Sequence, residues 1–420
     1  MKIKRKTGVK KQIGWGVIGQ LAYVVGQFVI LSVLARFASP EDVGRLAFAG
    51  AITLPVLAFF NLGLRFNQAT NIEQMGTFFE FFLLRTLTTT LGYLIILCVS
   101  IFLITDDSTR LILIIFGAAK AVETFSDLFY GVFQSKLKMV LVAKSQIARS
   151  ILSSVLFSGF LIGTESVEIA FVGHFVSWLI VAILFDYRNA KKISVGTEGP
   201  VSYKSLHTIA KQSLPLGYAG FLSMLNTSVP RFVIESVMGL AALGYFTVVA
   251  YALQAGTTVV LAISHSITST LAGYSTEGNK KAFRELLVRI IGLFTTFGLL
   301  MLPMGYYFGD FLIVFIFGND YEGLNLILTF IIIVFIVSTC STVLQTGVIA
   351  KRDFILHAKN RLLLLVLTLL FTIPGVYYGG LEGVSLAMAF AHAGQTIFLY
   401  WSLFGIHSQY KIFKNGRESV

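Results

Sequence analysis

Between Arg85 and Asp106, between Arg289 and Asp310, and between Glu322 and Lys351, no residue carries a charge. A helix needs about 20 apolar residues to cross the hydrocarbon core of a bilayer, so several such runs in one chain leave few folds open. A β-barrel would alternate polar and apolar residues over about ten positions per strand, and these runs do not alternate. They predict an all-α integral membrane protein of about twelve transmembrane helices. The spans fall near residues 13–37, 43–64, 84–104, 110–133, 145–163, 167–186, 213–235, 241–266, 286–308, 322–349, 360–379 and 381–405. The apolar stretch inside 309–321 leaves room for one further crossing.

The supply of charge agrees. Only 13% of residues are charged and mean hydropathy is +0.79, whereas a soluble domain carries about 25% charged residues. Most of this surface must therefore face lipid. Cys98 and Cys340 both lie inside apolar runs, with neither zinc spacing nor a disulfide framework. The basic N-terminus MKIKRKTGVKK resembles the start of a secretion signal. The apolar stretch after it is too long for one and lacks a small-residue cleavage site, so we read it as a retained first helix.

A formal charge of +12 invites a nucleic-acid reading, but the placement of the charges rejects it. One set of loops carries the N-terminal lysines, Arg65 and Arg85, Lys136, Lys138 and Lys144, the Arg188–Lys211 segment, Lys280–Arg289, Lys351–Arg361 and Lys411–Arg417. The alternate loops carry Glu41, Asp42, Asp106, Asp107, Glu165, Asp310, Asp320 and Glu382. This is the positive-inside bias, and it predicts that both termini are cytoplasmic.

The longest loop, 188–212, follows the sixth span. Leu206, Ile209 and Ala210 against Lys204 and Lys211 predict a helix lying on the membrane surface there. We therefore divide the chain into a six-helix bundle over 1–187, a cytoplasmic linker over 188–212 and a second bundle over 213–420. Short matches run in parallel order through the two halves: Pro40–Gly44 with Leu240–Gly244, Ala143-Lys144 with Ala358-Lys359, and Val167-Glu168 with Leu381-Glu382. Repeated six-helix halves of like orientation are a transporter architecture, with the substrate path between them.

The fourth span is the most informative: KAVETFSDLFYGVFQ, Lys120–Gln134. At 100° per residue, Lys120, Glu123, Asp127, Tyr130 and Gln134 fall within an arc of roughly 80°. Each charge would cost about 2.5–3.5 kcal/mol at the bilayer centre, so the stripe must face a wet cavity, pair internally, or do both. Gln20, Tyr23 and Gln27 share a face of the first span. Tyr251, Gln254, Thr258 and His265 share one in the eighth, and Ser338, Ser341, Thr342 and Gln345 one in the tenth. Such residues also bond between packed helices; taken together they predict a polar lumen. Histidine is the side chain a proton relay near neutral pH most often uses, which makes His265 a candidate and His174 a weaker one. Arg36, Arg45, Arg149 and Arg231 lie near span ends. They either snorkel to the headgroups or offer guanidinium forks to phosphate.

The segment Lys120–Gln134, followed by Met139, Ser145 and Arg149, resembles the polysaccharide (O-antigen-type) flippases of the multidrug/oligosaccharidyl-lipid/polysaccharide exporter superfamily. Two further segments carry the same resemblance. ARFASPEDVGRLA runs from Ala35 and leads to NLGLR at Asn61–Arg65; NTSVPRFVI at Asn226–Ile234 is followed by LAALGYF at Leu240–Phe246. The resemblance extends in order over nearly the whole chain. It departs at Asn71, where the pattern has an aspartate. It implies two pseudo-symmetric six-helix bundles around a central cavity that opens alternately to each side, in a bacterial cytoplasmic (inner) membrane. The implied substrate is a polyprenyl-pyrophosphate-linked oligosaccharide repeat unit, for O-antigen or another surface polysaccharide, moved to the outer leaflet. The expected cavity residues are Lys120, Glu123, Asp127, Tyr130, Gln134, Arg149, Arg231, Gln20, Gln27 and Gln254. Glu123, Asp127 and His265 are the candidates for a coupling ion, proton or sodium. The bilayer and a polysaccharide polymerase complete the expected partners. No cofactor, metal or catalytic residue is expected.

Three rivals stand beside this reading. A cation-coupled drug antiporter of the same superfamily should have a cavity richer in acids than in bases. A membrane glycosyltransferase or polysaccharide polymerase usually needs a sizeable outer loop or a soluble domain, and here there is neither that nor a nucleotide-sugar motif. A pure scaffold has no need of polar lumen faces.

Overall fold

A computed structural model of the chain describes residues 2–70, 76–194 and 201–404. It is built of α1 (Lys2–Phe37), α2 (Pro40–Asn61), α3 (Leu64–Thr70), α4 (Phe78–Leu103), α5 (Asp107–Ser135), α6 (Met139–Thr164), α7 (Val167–Val181) and α8 (Arg188–Ser194), followed by α9 (Tyr203–Thr276), α10 (Lys280–Phe317), α11 (Asn325–Ala350) and α12 (Phe354–Phe404). A π turn, Ala182–Tyr187, joins α7 to α8, and among the described residues there is no strand. Nine helices there are long and apolar enough to cross a membrane. Two of these, α9 and α12, break at Gly239 (φ 84°) and Gly380 (φ 55°), backbone conformations that glycine adopts without a Cβ clash. Helix α5 is as long as its neighbours, at 29 residues. It is not among the nine because Lys120, Glu123 and Asp127 interrupt its apolar face.

Local chemistry sets the helix starts. Ser39 and Thr77 form capping boxes with Asp42 and Glu80, and Pro40 occupies the first turn of α2. Asp106 caps α5 through the Thr109 N–H, and Ser166 caps α7 through that of Ile169. Helix α2 ends at Leu62 and Gly63, both left-handed (φ 52° and 58°), which turns the chain into the short α3.

The chain forms two compact units, Met1–Arg231 and Phe232–Val420. In the first, α5 is central and packs on α2, α3, α4 and α7, while α1 runs along α6. Gly19 and Gly26 let α1 approach α6 closely: a Cβ at either would come 2.8 Å from the Ala143 Cα or 3.0 Å from the Ser150 Cα. In the second unit, α11 packs on α10 and α12 around Leu287, Val343 and Leu399.

The predicted surface helix after the sixth span is corrected. Residues from Tyr203 run directly into α9. Ile209 is buried, and with Leu206 and Ala210 it packs on Leu62, Leu64, Phe81, Leu84 and Leu128. Protein, not lipid, therefore covers this apolar face. Glu80 fixes the segment by accepting hydrogen bonds from the Ser202 N–H (2.9 Å) and the Ser205 hydroxyl (3.0 Å). Asn71, the central part of the linker (195–200) and the basic C-terminus (405–420) lie outside the described residues.

Candidate functional site

The stripe on α5 meets partners on four other elements. Lys120 is buried; its Nζ donates to Glu123 Oε2 at 2.9 Å and to the Tyr23 hydroxyl at 3.2 Å. Asp127 does not join that pair. It accepts from Arg65 Nη1 at 3.1 Å, and Arg85 Nη2 stands 4.0 Å from its other oxygen. Arg65 also donates to Gln134 Oε1, from Nε and from Nη2, at 3.3 Å each. The internal pairing of the stripe is thus limited to Lys120–Glu123, and Asp127 is held between two arginines.

Arg65 reaches this place because α3 lies close against α5. At Gly131 an added Cβ would sit 3.2 Å from the Arg65 carbonyl oxygen and would meet the Gln68 side chain. A larger residue there would push α3, and Arg65 with it, away from Asp127. Arg85 is fully buried and donates to the Asn61 carbonyl at 3.1 Å, while its Nε and Nη2 have no hydrogen-bond partner among the described residues. A buried guanidinium left this short of partners is costly, and the Asp127 carboxylate is the anion nearest to it.

Between α1, α3, α5 and α6 these residues line a cleft of about 200 Å³. Its walls are Gln20, Tyr23, Arg65, Glu123, Asp127, Tyr130 and Gln146. Among the sequence candidates, the structure thus brings Gln20, Glu123, Asp127 and Tyr130 together, with Lys120 directly behind Glu123 and Gln134 on Arg65. The lining combines amide, phenol, carboxylate and guanidinium groups inside the first membrane unit. Among the described residues no cluster of histidine, cysteine or carboxylate could hold a metal ion.

Other candidates lie elsewhere. Arg149 is not at a helix end and does not snorkel. It lies ten residues into α6, about 15 Å along the axis at 1.5 Å per residue, and is 2% exposed. Its Nη2 donates to Asp186 Oδ2 at 3.1 Å and to the Ser126 hydroxyl. Arg45 is ion-paired too, with Glu41, Asp42 and Asp106. Arg231 ends the first unit on α9 and faces α2 at Gly50. Gln27 is half-buried on α1, beyond the cleft lining. Gln254 is exposed on the part of α9 in the second unit. His265 is on α9, but its side chain lies outside the described residues. His174 is buried and bonded to the Ser153 hydroxyl at 2.6 Å.

Sequence reasoning missed Arg65, Arg85, Gln146 and Asp186. The first two read as loop charges and Asp186 as the last residue of a span. The one available signal was charge balance: a chain that buries Lys120 and Arg149 in lipid needs carboxylates near both.

Comparison with known proteins follows the same direction. Residues 9–268 match the family described as "Polysaccharide biosynthesis protein". The matched stretch contains every residue of the cleft. The Capsular polysaccharide biosynthesis protein CapF of Staphylococcus aureus is 23% identical over 397 residues, covering 93% of this chain and 98% of the relative. Among solved structures, an inward-facing multidrug resistance MATE family transporter of the MOP superfamily superposes with a TM-score of 0.70 at 16% identity, covering 96% of both chains. The Lipid II flippase MurJ, in an inward closed conformation, gives 0.71 at 14% identity, covering 93% of this chain and 87% of that one. The all-α fold is like that of these two structures. With more than half of its length matched, this chain belongs to the polysaccharide biosynthesis protein family.

Proposed function

We propose that this protein is a flippase. It moves polyprenyl-pyrophosphate-linked oligosaccharide repeat units from the cytoplasmic to the outer leaflet of a bacterial cytoplasmic membrane, by alternating access. One observation carries the reading: Asp127 at the cleft is bracketed by Arg65 at 3.1 Å and Arg85 at 4.0 Å. Lys120 neutralises Glu123, so the cleft and its immediate backing are left one positive charge in excess. A cationic drug gains nothing from such a site. A pyrophosphate can compete with Asp127 for the Arg65 guanidinium, whose planar fork matches phosphate oxygens. Gln20, Gln146 and Tyr23 offer donors and acceptors to sugar hydroxyls. The lipid tail stays in the bilayer.

Orientation fits loading from inside. Asp127 lies about 30 Å along α5 from its acidic Asp107 end, toward the side that the positive-inside bias makes cytoplasmic. Both termini are cytoplasmic in this proposal. Glu123 and Asp127 are the carboxylates a coupling proton or sodium would use, and a polymerase would take the product at the outer face.

The test is export of surface polysaccharide in cells lacking any redundant flippase, with membrane abundance measured in parallel. Arg65→Ala should lower export at least about tenfold, which is 1.4 kcal/mol. Arg65→Lys, which keeps the charge but loses the fork, should fall between. Normal export by Arg65→Ala at equal abundance removes the pyrophosphate from this cleft.

A further inference from the structure

Behind the cleft, cations and aromatic rings alternate through the first unit. Lys120 Nζ stands 4.6 Å from the Trp178 ring centre. On the same indole the Arg149 guanidinium stands at 4.9 Å, and it is 6.0 Å from the Tyr130 ring. Arg65 lies 5.6 Å over that same Tyr130. Two aromatic plates, each between two cations, thus join Lys120 to Arg65. Such cation–ring contacts strengthen when they are taken out of water. Of the outer cations, Arg65 lines the cleft and Lys120 is bonded to its Glu123 wall. The middle one, Arg149, does not line it.

Asp186 holds the middle of this series, and the backbone is bent to bring it there. His174, Trp178, Ala182, Asp186 and Ala190 are all buried, at a strict spacing of four. In a straight α-helix four residues turn 400°, so from His174 to Asp186 that stripe would drift by about 120° and carry Asp186 off its face. The π turn Ala182–Tyr187 takes more residues per turn and absorbs the drift. Ile183 and Leu184 stay exposed, at 50% and 53%, while Asp186 is 0% exposed. Single π turns of this kind are frequent at functional sites.

We propose that Asp186 and Arg149 are a positioning pair for the substrate cleft: the carboxylate, carried inward by the π turn, pins the guanidinium between Trp178 and Tyr130, and so sets the spacing of the Lys120–Glu123 and Arg65–Asp127 ends. The inference rests on the cleft being the headgroup site. It differs from a structural ion pair in one respect. A buried pair that serves stability alone can be replaced by apolar residues of like volume at little cost, whereas a positioning pair cannot.

The experiment uses the full chain in nanodiscs, with Trp15→Phe and Trp401→Phe so that Trp178 is the sole indole, and farnesyl pyrophosphate as probe. Arg149→Met/Asp186→Leu should melt near the parent yet bind the probe about tenfold more weakly, with altered Trp178 emission. Asp186→Asn should weaken binding likewise, and Asp186→Glu should recover part of it. Parent-like affinity in the apolar double variant, or in Asp186→Asn, overturns the proposal. A parent that ignores the probe, or binds it equally well after Arg65→Ala, instead removes the headgroup reading. The pair is then decided by Trp178 emission and by the reactivity of Gln146→Cys in the cleft. Change in both on Arg149→Met/Asp186→Leu supports positioning, and no change overturns it.

Discussion

Replacing Glu123 with Gln removes the countercharge of a lysine that is nearly out of water. The Lys120 side chain is 9% exposed and that of Glu123 30%. Removing one partner of a fully buried pair costs about 3–5 kcal/mol. Two features reduce that here. Water reaches the Glu123 side, and Lys120 keeps the Tyr23 hydroxyl at 3.2 Å and the Trp178 and Phe116 rings at 4.6 and 5.4 Å. About 2 kcal/mol remains, or about 4–8 °C in Tm at the 2–4 °C per kcal/mol expected for a domain of 150–250 residues. Lys120→Met leaves a carboxylate that water can partly solvate, so it should cost about half as much. The double variant should be more stable than Glu123→Gln alone, a coupling of about 1–2 kcal/mol. The assay is thermal unfolding of the purified protein in one detergent, run as a double-mutant cycle. Additive shifts, or a Glu123→Gln variant within 1 °C of the parent, would refute the claim that Lys120 depends on Glu123.

Two further outcomes follow from the opposite end of α5 and from the charge asymmetry. Hydrogen bonds from the Thr109 hydroxyl and N–H, with Arg45 beside them, hold the Asp106 carboxyl below its ordinary value of 3.8 against the opposing effect of burial. A depressed pKa contributes stability above the unfolded value and loses it as pH falls through the folded one. The Tm difference between parent and Asp106→Asn should therefore be steady above about pH 5 and shrink progressively as pH falls below the unfolded value; a difference that grows there contradicts the cap. In a background without Cys98 and Cys340, a membrane-impermeant maleimide on intact cells should label Asp107→Cys and miss Lys191→Cys, and the reverse pattern would invert the topology.

The helices and the α5 stripe were legible because both are properties of spacing. Apolar runs of membrane length announce spans, and a 3.6-residue period places Glu123, Asp127 and Tyr130 on one face whatever surrounds them. What spacing could not show is where the backbone leaves the ideal helix. The left-handed Leu62–Gly63 corner folds α3 back on α5, so a residue that reads as a loop charge, Arg65, becomes a wall of the cleft. The π turn does the same for Asp186, which sits beside Arg188 and Lys191 in sequence and reads as a span end. Arg149 was misplaced for a related reason: its partner lies 37 positions away on another helix, and without that partner a charge in a span reads as a terminus. The Leu206–Ala210 face was correctly seen as amphipathic, but amphipathicity does not distinguish lipid from the Leu62–Leu128 cluster that covers it.

In the function proposed above, Arg65 receives a pyrophosphate headgroup and the protein carries it across the membrane. The most direct measurement is transfer of a fluorescent polyprenyl-pyrophosphate oligosaccharide between leaflets of proteoliposomes, read by its susceptibility to an external glycosidase. Transfer should run well above that in protein-free vesicles, fall at least about tenfold with Arg65→Ala, and be partly retained with Arg65→Lys. Transfer no faster than in protein-free vesicles, or transfer indifferent to Arg65, would contradict that function.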